Sequence, residues 1–237
     1  MVVGKTGNGK STTGNQIIGR DSFGVSDGAQ SESSYCEKAA RTEEREITVI
    51  DTPGIIDTST VKKMQSKWRF WGFYRETQEK VLKELARMLV VTPRGINAIL
   101  LLVRFGTRFT PEDAQALTLL KTFFGEEALN YMVLLLTHGD VAEKNARRKK
   151  VPVDEYVKEW IDGMEDWVKE FIHNEIQGRF VLMNGMLDPD ENPEACKKQL
   201  LALIEVSSVN SNFSSLERVY NKLSASDPFP SPEQEIV

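Results

Sequence analysis

The sequence predicts an α/β fold, a doubly wound and mostly parallel sheet flanked by helices, with a C-terminal helical extension. Three observations carry this expectation. Short β-rich runs alternate with helical patterns along the chain, as in sheets built from right-handed crossovers. Two of those runs, residues 98–103 (Ala-Ile-Leu-Leu-Leu-Val) and 132–136 (Met-Val-Leu-Leu-Leu), are continuously apolar, which suits strands covered on both faces. A glycine-rich turn joins the first run to the first helix, where such sheets bind phosphate groups.

Met1, Val2 and Val3 are the stub of the first strand. Strands usually run to about 5–6 residues, so this one reads as clipped. Residues 10–18 are expected to be helical, with Ile17 and Ile18 on one face. Residues 21–45 are polar and rich in Ser, Gly and Glu, and are expected to be mostly loop. Residues 46–51 form a strand that stops at the turn Thr52-Pro53-Gly54. Val81, Leu82, Leu85, Met88 and Leu89 give residues 77–91 a helical spacing. After the run at 98–103, Thr110-Pro111-Glu112-Asp113 opens another helix with an N-cap, a proline at the first position and acids in the first turn. Residues 153–176 and 193–206 supply two more helices, and residues 179–183 a last, weaker strand. One domain over residues 1–206, followed by a helical to flexible tail over 207–237, accounts for the whole chain.

Of the 237 residues, 40% are hydrophobic and 27% charged, which suffices for a packed core and excludes global disorder. Thirty Lys and Arg against 35 Asp and Glu leave a formal charge of -5, so no nucleic-acid partner is expected through bulk positive charge. The two cysteines, Cys36 and Cys196, lie far apart, and there are only 2 histidines. A disulfide framework, a structural zinc site and a multi-histidine metal site are thereby excluded. No run approaches the ~20 apolar residues of a spanning helix, and no signal peptide is visible. The chain reads as soluble and cytoplasmic.

Gly4-Lys5-Thr6-Gly7-Asn8-Gly9-Lys10-Ser11 fits G-x-x-x-x-G-K-[ST] between a strand and a helix. A chance match in a chain this long is about a 1% event. The chemistry needs these residue types. Glycines let backbone N–H groups curl around phosphate oxygens, and the helix N-terminus adds its positive dipole end. Lys10 can reach the β- and γ-phosphates, and the Ser11 hydroxyl can bind Mg²⁺. The phosphate-binding set is Gly4, Thr6, Gly7, Asn8, Gly9, Lys10, Ser11 and Thr12. Asp51 ends the next strand and precedes Thr52-Pro53-Gly54. In a nucleotide hydrolase such an aspartate holds Mg²⁺ through water, and the Gly54 N–H senses the γ-phosphate.

The run ending at Leu136 leads into Thr137-His138-Gly139-Asp140. A carboxylate at the C-terminal end of a strand can accept hydrogen bonds from the N1–H and 2-amino group of guanine, a donor pair adenine lacks. The usual guanine-reading motif is N-K-x-D, and T-H-x-D stands here instead. With residues 4–15 (G-K-T-G-N-G-K-S-T-T-G-N), 47–54 (I-T-V-I-D-T-P-G) and 98–113 (A-I-L-L-L-V-R-F-G-T-R-F-T-P-E-D), this form closely resembles the immune-associated nucleotide-binding (GIMAP/IAN) GTPases, a P-loop GTPase family related to septins and the chloroplast-envelope Toc GTPases. The similarity spans roughly residues 1–203. It implies GTP or GDP with Mg²⁺ as ligands, and Thr137, His138 and Asp140 as the residues holding guanine, with His138 packing on the base. It also implies that Asn184, past the last strand, lies on the base's other side. The residues alone read Asn184 as a turn.

Many small GTPases carry a glutamine after the D-x-x-G turn to orient the attacking water. Ile55, Ile56 and Asp57 stand there, so intrinsic turnover is expected to be slow. The resemblance implies a remedy, a homodimer with nucleotide faces together in which an arginine acts across the interface. Arg108 is the first candidate and Arg104 the second, although Thr107 is an extra residue relative to the family's L-G-R-Y-T form. The family's first switch closes a threonine over Mg²⁺ and the γ-phosphate. Here Ser33 is the chosen counterpart, a serine without the methyl. Lys10, Arg108 and Ser33 are thus the catalytic candidates, and Ser11, Ser33 and Asp51 the metal set.

Three further features were weighed. Residues 68–74 (Trp-Arg-Phe-Trp-Gly-Phe-Tyr) read as a loop and helix start on the sheet edge rather than a partner or membrane surface. Arg147-Arg148-Lys149-Lys150 reads as a solvated loop ahead of phosphoinositide docking. Residues 233–237 carry no lipidation motif, which leaves peripheral attachment at the cytosolic face of membranes as an option. A GTPase accelerated by dimerisation, a GTP-locked oligomerising scaffold and an ATP-dependent phosphotransferase all remain readings of these residues, with T-H-x-D disfavouring the third.

Overall fold

The computed structural model describes residues 1–5, 7–24, 37–41, 46–52, 95–109, 117, 120, 121 and 124–207. In chain order these form β1 (Val2–Gly4), α1 (Lys10–Ile18), β2 (Glu37–Arg41), β3 (Ile47–Asp51), β4 (Ile99–Arg104), a 3₁₀ helix (Glu126–Tyr131) and β5 (Met132–Thr137). They continue with α2 (Gly139–Lys149), α3 (Val153–Asp162), α4 (Asp166–Glu170), a π-turn (Phe171–Glu175), β6 (Phe180–Leu182) and α5 (Pro193–Ser207). Leu117, Leu120, Lys121 and Phe124 are helical.

The strands lie in the order β2-β3-β1-β4-β5-β6. Only β2 runs antiparallel to its neighbour. The strand register alternates side chains between the two faces. Val2, Leu100, Leu102, Val133, Leu135 and Val181 pack on one side with Ile17 and Ile18 of α1 and Leu203 of α5. Val3, Leu101, Val103, Met132, Leu134 and Leu136 pack on the other with Val157 and Ile161 of α3 and Val168 of α4. Helices on both faces explain why β4 and β5 are apolar up to their last residues, Arg104 and Thr137. The expected doubly wound sheet is the observed one.

Three expectations need correction. Residues 21–45 are not all loop, because Glu37–Arg41 pairs with β3 from Glu37↔Asp51 to Arg41↔Ile47. This edge strand is half-exposed and polar, so its pairing comes from its neighbour and leaves no apolar alternation to read. Residues 153–176 are not one helix. Gly163 closes α3 with its N–H on Glu159 O at 3.1 Å, and extended Glu165 starts α4 afresh. The basic cluster is not loop but the end of α2, with Arg147, Arg148 and Lys149 in the last turn and Lys150 the left-handed cap. Cations there complement the helix dipole. Lys149 also bonds Glu159 at 3.0 Å and lies over the Tyr156 ring. Helix α2 escaped the apolar pattern because its buried contacts are small, Ala142 and Ala146 on one face.

Local side chains fix the loops around the site. Asn15 accepts from the N–H groups of Ser22 and Phe23, both at 2.8 Å, and donates to Phe23 O at 2.9 Å, so the chain leaving α1 is held close. The Arg179 guanidinium donates to Leu129 O and Asn130 O and clamps the 3₁₀ helix to the start of β6. The loop after β4 is anchored by rings. Phe105 packs 4.5 Å from Trp160 between ring centroids, and Phe109 meets Trp167 edge-on. The helix expected at 77–91, the opening at 110–113, the aromatic run at 68–74 and the tail from 208 lie outside the described residues.

Candidate functional site

The site is assembled at the C-terminal ends of β1, β3, β4 and β5, where a parallel sheet presents its loops. Gly4 ends β1 pressed against β4, and a Cβ there would stand 2.8 Å from Leu102 O. Gly7 and Gly9 both have φ of 82°, a conformation that strains residues with a Cβ. Gly9 caps α1, and the first intrahelical bond is Thr13 N–H to Gly9 O at 2.9 Å. The N–H groups of Lys10, Ser11 and Thr12 therefore precede the helix's own bonding and face the loop. Asn8 ties the loop to β4 through Nδ2 on Leu102 O at 2.8 Å. Lys10 is 8% exposed, and its amine bridges the loop to Lys5 O at 3.2 Å.

Two of the candidate metal residues, Ser11 and Asp51, meet beside this loop. Ser11 Oγ donates to Asp51 Oδ2 at 2.8 Å, and Asp51 is fully buried at the end of β3. Thr52 Oγ1 on Val2 O at 2.7 Å fixes the chain just beyond it. A hydroxyl and a carboxylate so placed are the hard oxygen donors that Mg²⁺ prefers, so the donor set fits the ion.

At the other end, Arg104 and Thr137 are register partners on β4 and β5. His138 is left-handed (φ 62°) and caps α2, and the Gly139 N–H bonds Met183 O at 2.9 Å. A Cβ on Gly139 would lie 2.9 Å from Asn184 N, so the T-H-x-D loop and the segment after β6 are in direct backbone contact. Asp140 sits in the first turn of α2, and its Oδ1 is buried with no hydrogen-bond partner among the described residues. An orphaned carboxylate oxygen at this point fits an N–H donor of a ligand.

Thr137 is buried beneath the phosphate loop, and a Cβ on Gly9 would touch its methyl at 3.7 Å. Its hydroxyl lies 3.1 Å from His138 Nδ1 and 3.5 Å from Val103 O, which suits positioning the loop more than touching a base. Asn184 is likewise engaged. Its Nδ2 donates to Glu143 Oε2 at 3.2 Å, its Oδ1 accepts from Met186 N at 3.0 Å and its N–H donates to Gln199 Oε1 at 2.7 Å. The turn reading describes this geometry better than a base contact does. Thr12 faces the same segment, its methyl 3.6 Å from where a Gly185 Cβ would stand. Sequence reasoning missed Gln16, Glu143 and Gln199, because single polar residues on helices carry no motif.

Arg104, the last residue of β4, and Arg108, on the ring-anchored loop that follows, are both exposed. A turn in which Thr107 Oγ1 donates to Arg104 O at 2.7 Å separates them, so the extra Thr107 is absorbed there. Neither guanidinium bonds another described residue. Thr6, Ser33 and Gly54 lie outside the described residues.

His138 is held below its ordinary value of 6.5, first by burial and then by the Arg104 guanidinium, while Asp140 opposes both. The ring is therefore neutral at pH 7. In an NMR titration its midpoint is expected below 6.5. Arg104→Ala should move it upward by removing a repelling cation, and Asp140→Asn downward by removing an attracting anion. The opposite signs would contradict this placement.

Residues 1–229 match the model of a protein family described as the AIG1 family. Immune-associated nucleotide-binding protein 5 of Arabidopsis thaliana is 32% identical over 207 residues, 86% of this chain and 59% of its own length. Immune-associated nucleotide-binding protein 8 of the same plant is 28% identical over 238 residues, 99% of this chain and 61% of its own length. This chain thus spans about three fifths of these curated relatives. The structure of Toc33 from Arabidopsis thaliana in complex with GDP and Mg²⁺ matches with a TM-score of 0.58 at 19% identity, covering 89% of this chain and 84% of that one. A second, described as "Dimerization is important for the GTPase activity of chloroplast translocon components atToc33 and psToc159", matches with a TM-score of 0.59 at 19% identity over 90% of this chain and 84% of that one. Both share the P-loop GTPase fold.

Proposed function

This chain belongs to the AIG1 family, and we propose that it binds GTP and GDP with Mg²⁺ and hydrolyses GTP slowly, turning over faster when two copies meet with their nucleotide faces together. The observation that carries the guanine reading is the buried Asp140 Oδ1, which has no hydrogen-bond partner among the described residues. It stands at one end of a site whose other end holds the glycine loop, Lys10 and the Ser11–Asp51 pair.

Each residue has a task in this reading. The first-turn N–H groups of α1 and the Lys10 amine hold phosphate oxygens and take up charge as the γ-phosphoryl leaves. Ser11 and Asp51 hold Mg²⁺, which neutralises phosphate charge when bound. Asp140 accepts from the guanine N1–H and 2-amino group, and the neutral His138 ring packs on the base. Thr137 and Asn184 set the shape of the two base-side loops from within. Ser33 and Gly54 belong to the same proposal as the γ-phosphate contacts.

No side chain at Ile55, Ile56 or Asp57 can do the glutamine's work of orienting the attacking water. Arg108, or failing it Arg104, is exposed on a loop whose rings leave little freedom, which supports a role across a dimer. A trans arginine raises turnover by about 10³–10⁵. GTP turnover per molecule is expected to climb with protein concentration, and Arg108→Ala should flatten that curve while GTP still binds. A wild-type rate near zero at every concentration, with GTP bound, would favour instead a GTP-locked oligomerising scaffold, the reading the missing glutamine also supports.

A further inference from the structure

Helix α5 reaches the base-side loop through one hydrogen bond. Gln199 Oε1 accepts the main-chain N–H of Asn184 at 2.7 Å. Asn184 is 7% exposed, so that N–H has little recourse to water. The same residue is pinned from two other elements. Glu143 of α2, one turn beyond Asp140, receives its Nδ2 at 3.2 Å. Gln16 of α1, one turn and a half beyond Lys10, donates to its carbonyl at 3.0 Å and to Leu187 O at 3.4 Å. Met183, immediately before it, takes the Gly139 N–H of the T-H-x-D loop. Asn184 is therefore where the phosphate helix, the base-reading helix and α5 converge. Leu203, one turn beyond Gln199, is buried on the sheet face beside Val181 and Met183, so α5 is packed as well as bonded to β6.

We infer that Gln199 is a positioning residue for the guanine end of the site, and that α5 is coupled to nucleotide occupancy through the Gln199–Asn184 bond. This rests on the guanine-nucleotide reading above. The reasoning is one of linkage. If ordering the Asn184 loop favours the base, then a bound base must favour the docked state of α5 by the same factor. The Gln199 bond falls on the Asn184 N–H, whereas the loop's contacts with the phosphate helix run through Gln16 and Thr12, so the coupling is expected to act chiefly on the base.

The test separates the two ends of the ligand. Binding of GDP and of inorganic pyrophosphate, both with Mg²⁺, is measured by calorimetry on the full chain and on Gln199→Met, which keeps the length of the side chain and removes the acceptor. The variant should bind GDP about tenfold more weakly, the usual effect of orphaning one buried N–H, and pyrophosphate as the wild type does. A structural role alone would weaken both or neither. In hydrogen exchange on the wild type, GDP should slow the amides of α5, and pyrophosphate should not. This second readout stands if the variant does not fold. Equal GDP affinity in the variant, or α5 exchange untouched by GDP, overturns the inference. A wild type that binds pyrophosphate but shows no preference for GDP overturns the guanine reading itself, a separate failure.

Discussion

Replacing Lys10 with alanine is expected to weaken GTP and GDP binding by about a hundredfold or more, since truncating one partner of a buried charge pair costs about 2–5 kcal/mol. The expectation follows from the surroundings of the side chain. Lys10 is 8% exposed, and its amine crosses the loop to Lys5 O at 3.2 Å, so it is held where phosphate would lie before any ligand arrives. Little conformational entropy is then lost on binding. The substitution removes the charge and leaves α1 intact, because alanine at the first helical position is a good helix former. Thermal unfolding without nucleotide should change little, while the stabilisation that GDP gives should disappear. Undiminished GDP binding by Lys10→Ala would place the nucleotide elsewhere on the molecule.

The second large effect is expected at Asp140. In Asp140→Asn an amide replaces the carboxylate, and an N–H donor can face the 2-amino group of guanine, donor against donor. Two charge-assisted acceptors are lost as well. GDP affinity is expected to fall by about a hundredfold. Xanthine carries a carbonyl where guanine has its 2-amino group, so the variant should prefer XDP to GDP. That reversal is a sharper readout than loss, because a misfolded site would lose both nucleotides. If GDP and XDP weaken together, or neither changes, Asp140 does not read the base.

At the phosphate end, the glycine turn and the Ser11–Asp51 pair were legible in the sequence. Gly4, Gly9, Lys10, Ser11 and Asp51 are local in sequence or end a strand, and their residue types are dictated by backbone geometry and ion chemistry. The strands β4 and β5 were plain as well, since cover on both faces leaves them apolar up to their last residues. What escaped was set by tertiary contact. Strand β2 takes its conformation from β3 and so shows no pattern of its own. Helix α2 fully buries only small residues, Gly139, Ala142 and Ala146, and its basic end resembled a charged loop. The hydrogen-bond partners of Thr137 and Asn184 could not be read from a motif, because Val103 and Glu143 lie 34 and 41 residues away. The buried oxygen of Asp140 is a property of packing, and no spacing reveals it.

The described residues of the motifs that carry the resemblance to immune-associated nucleotide-binding proteins meet at the C-terminal ends of β1, β3, β4 and β5. Its implications were not equally supported. The fold and the family hold. The arginine reading gains from the anchoring of the loop by Phe105 and Phe109, which presents Arg104 and Arg108 outward. It depends on a second copy, and concentration-dependent turnover tests it.

The most direct test of the central claim is a calorimetric titration of the wild-type chain with GDP and then with ADP, both in Mg²⁺. GDP is expected to saturate one site per chain, and ADP to bind weaker by about a hundredfold or more, because a buried acceptor left facing adenine has no donor to satisfy it. Equal binding of the two nucleotides, or no binding of GDP, would contradict the account.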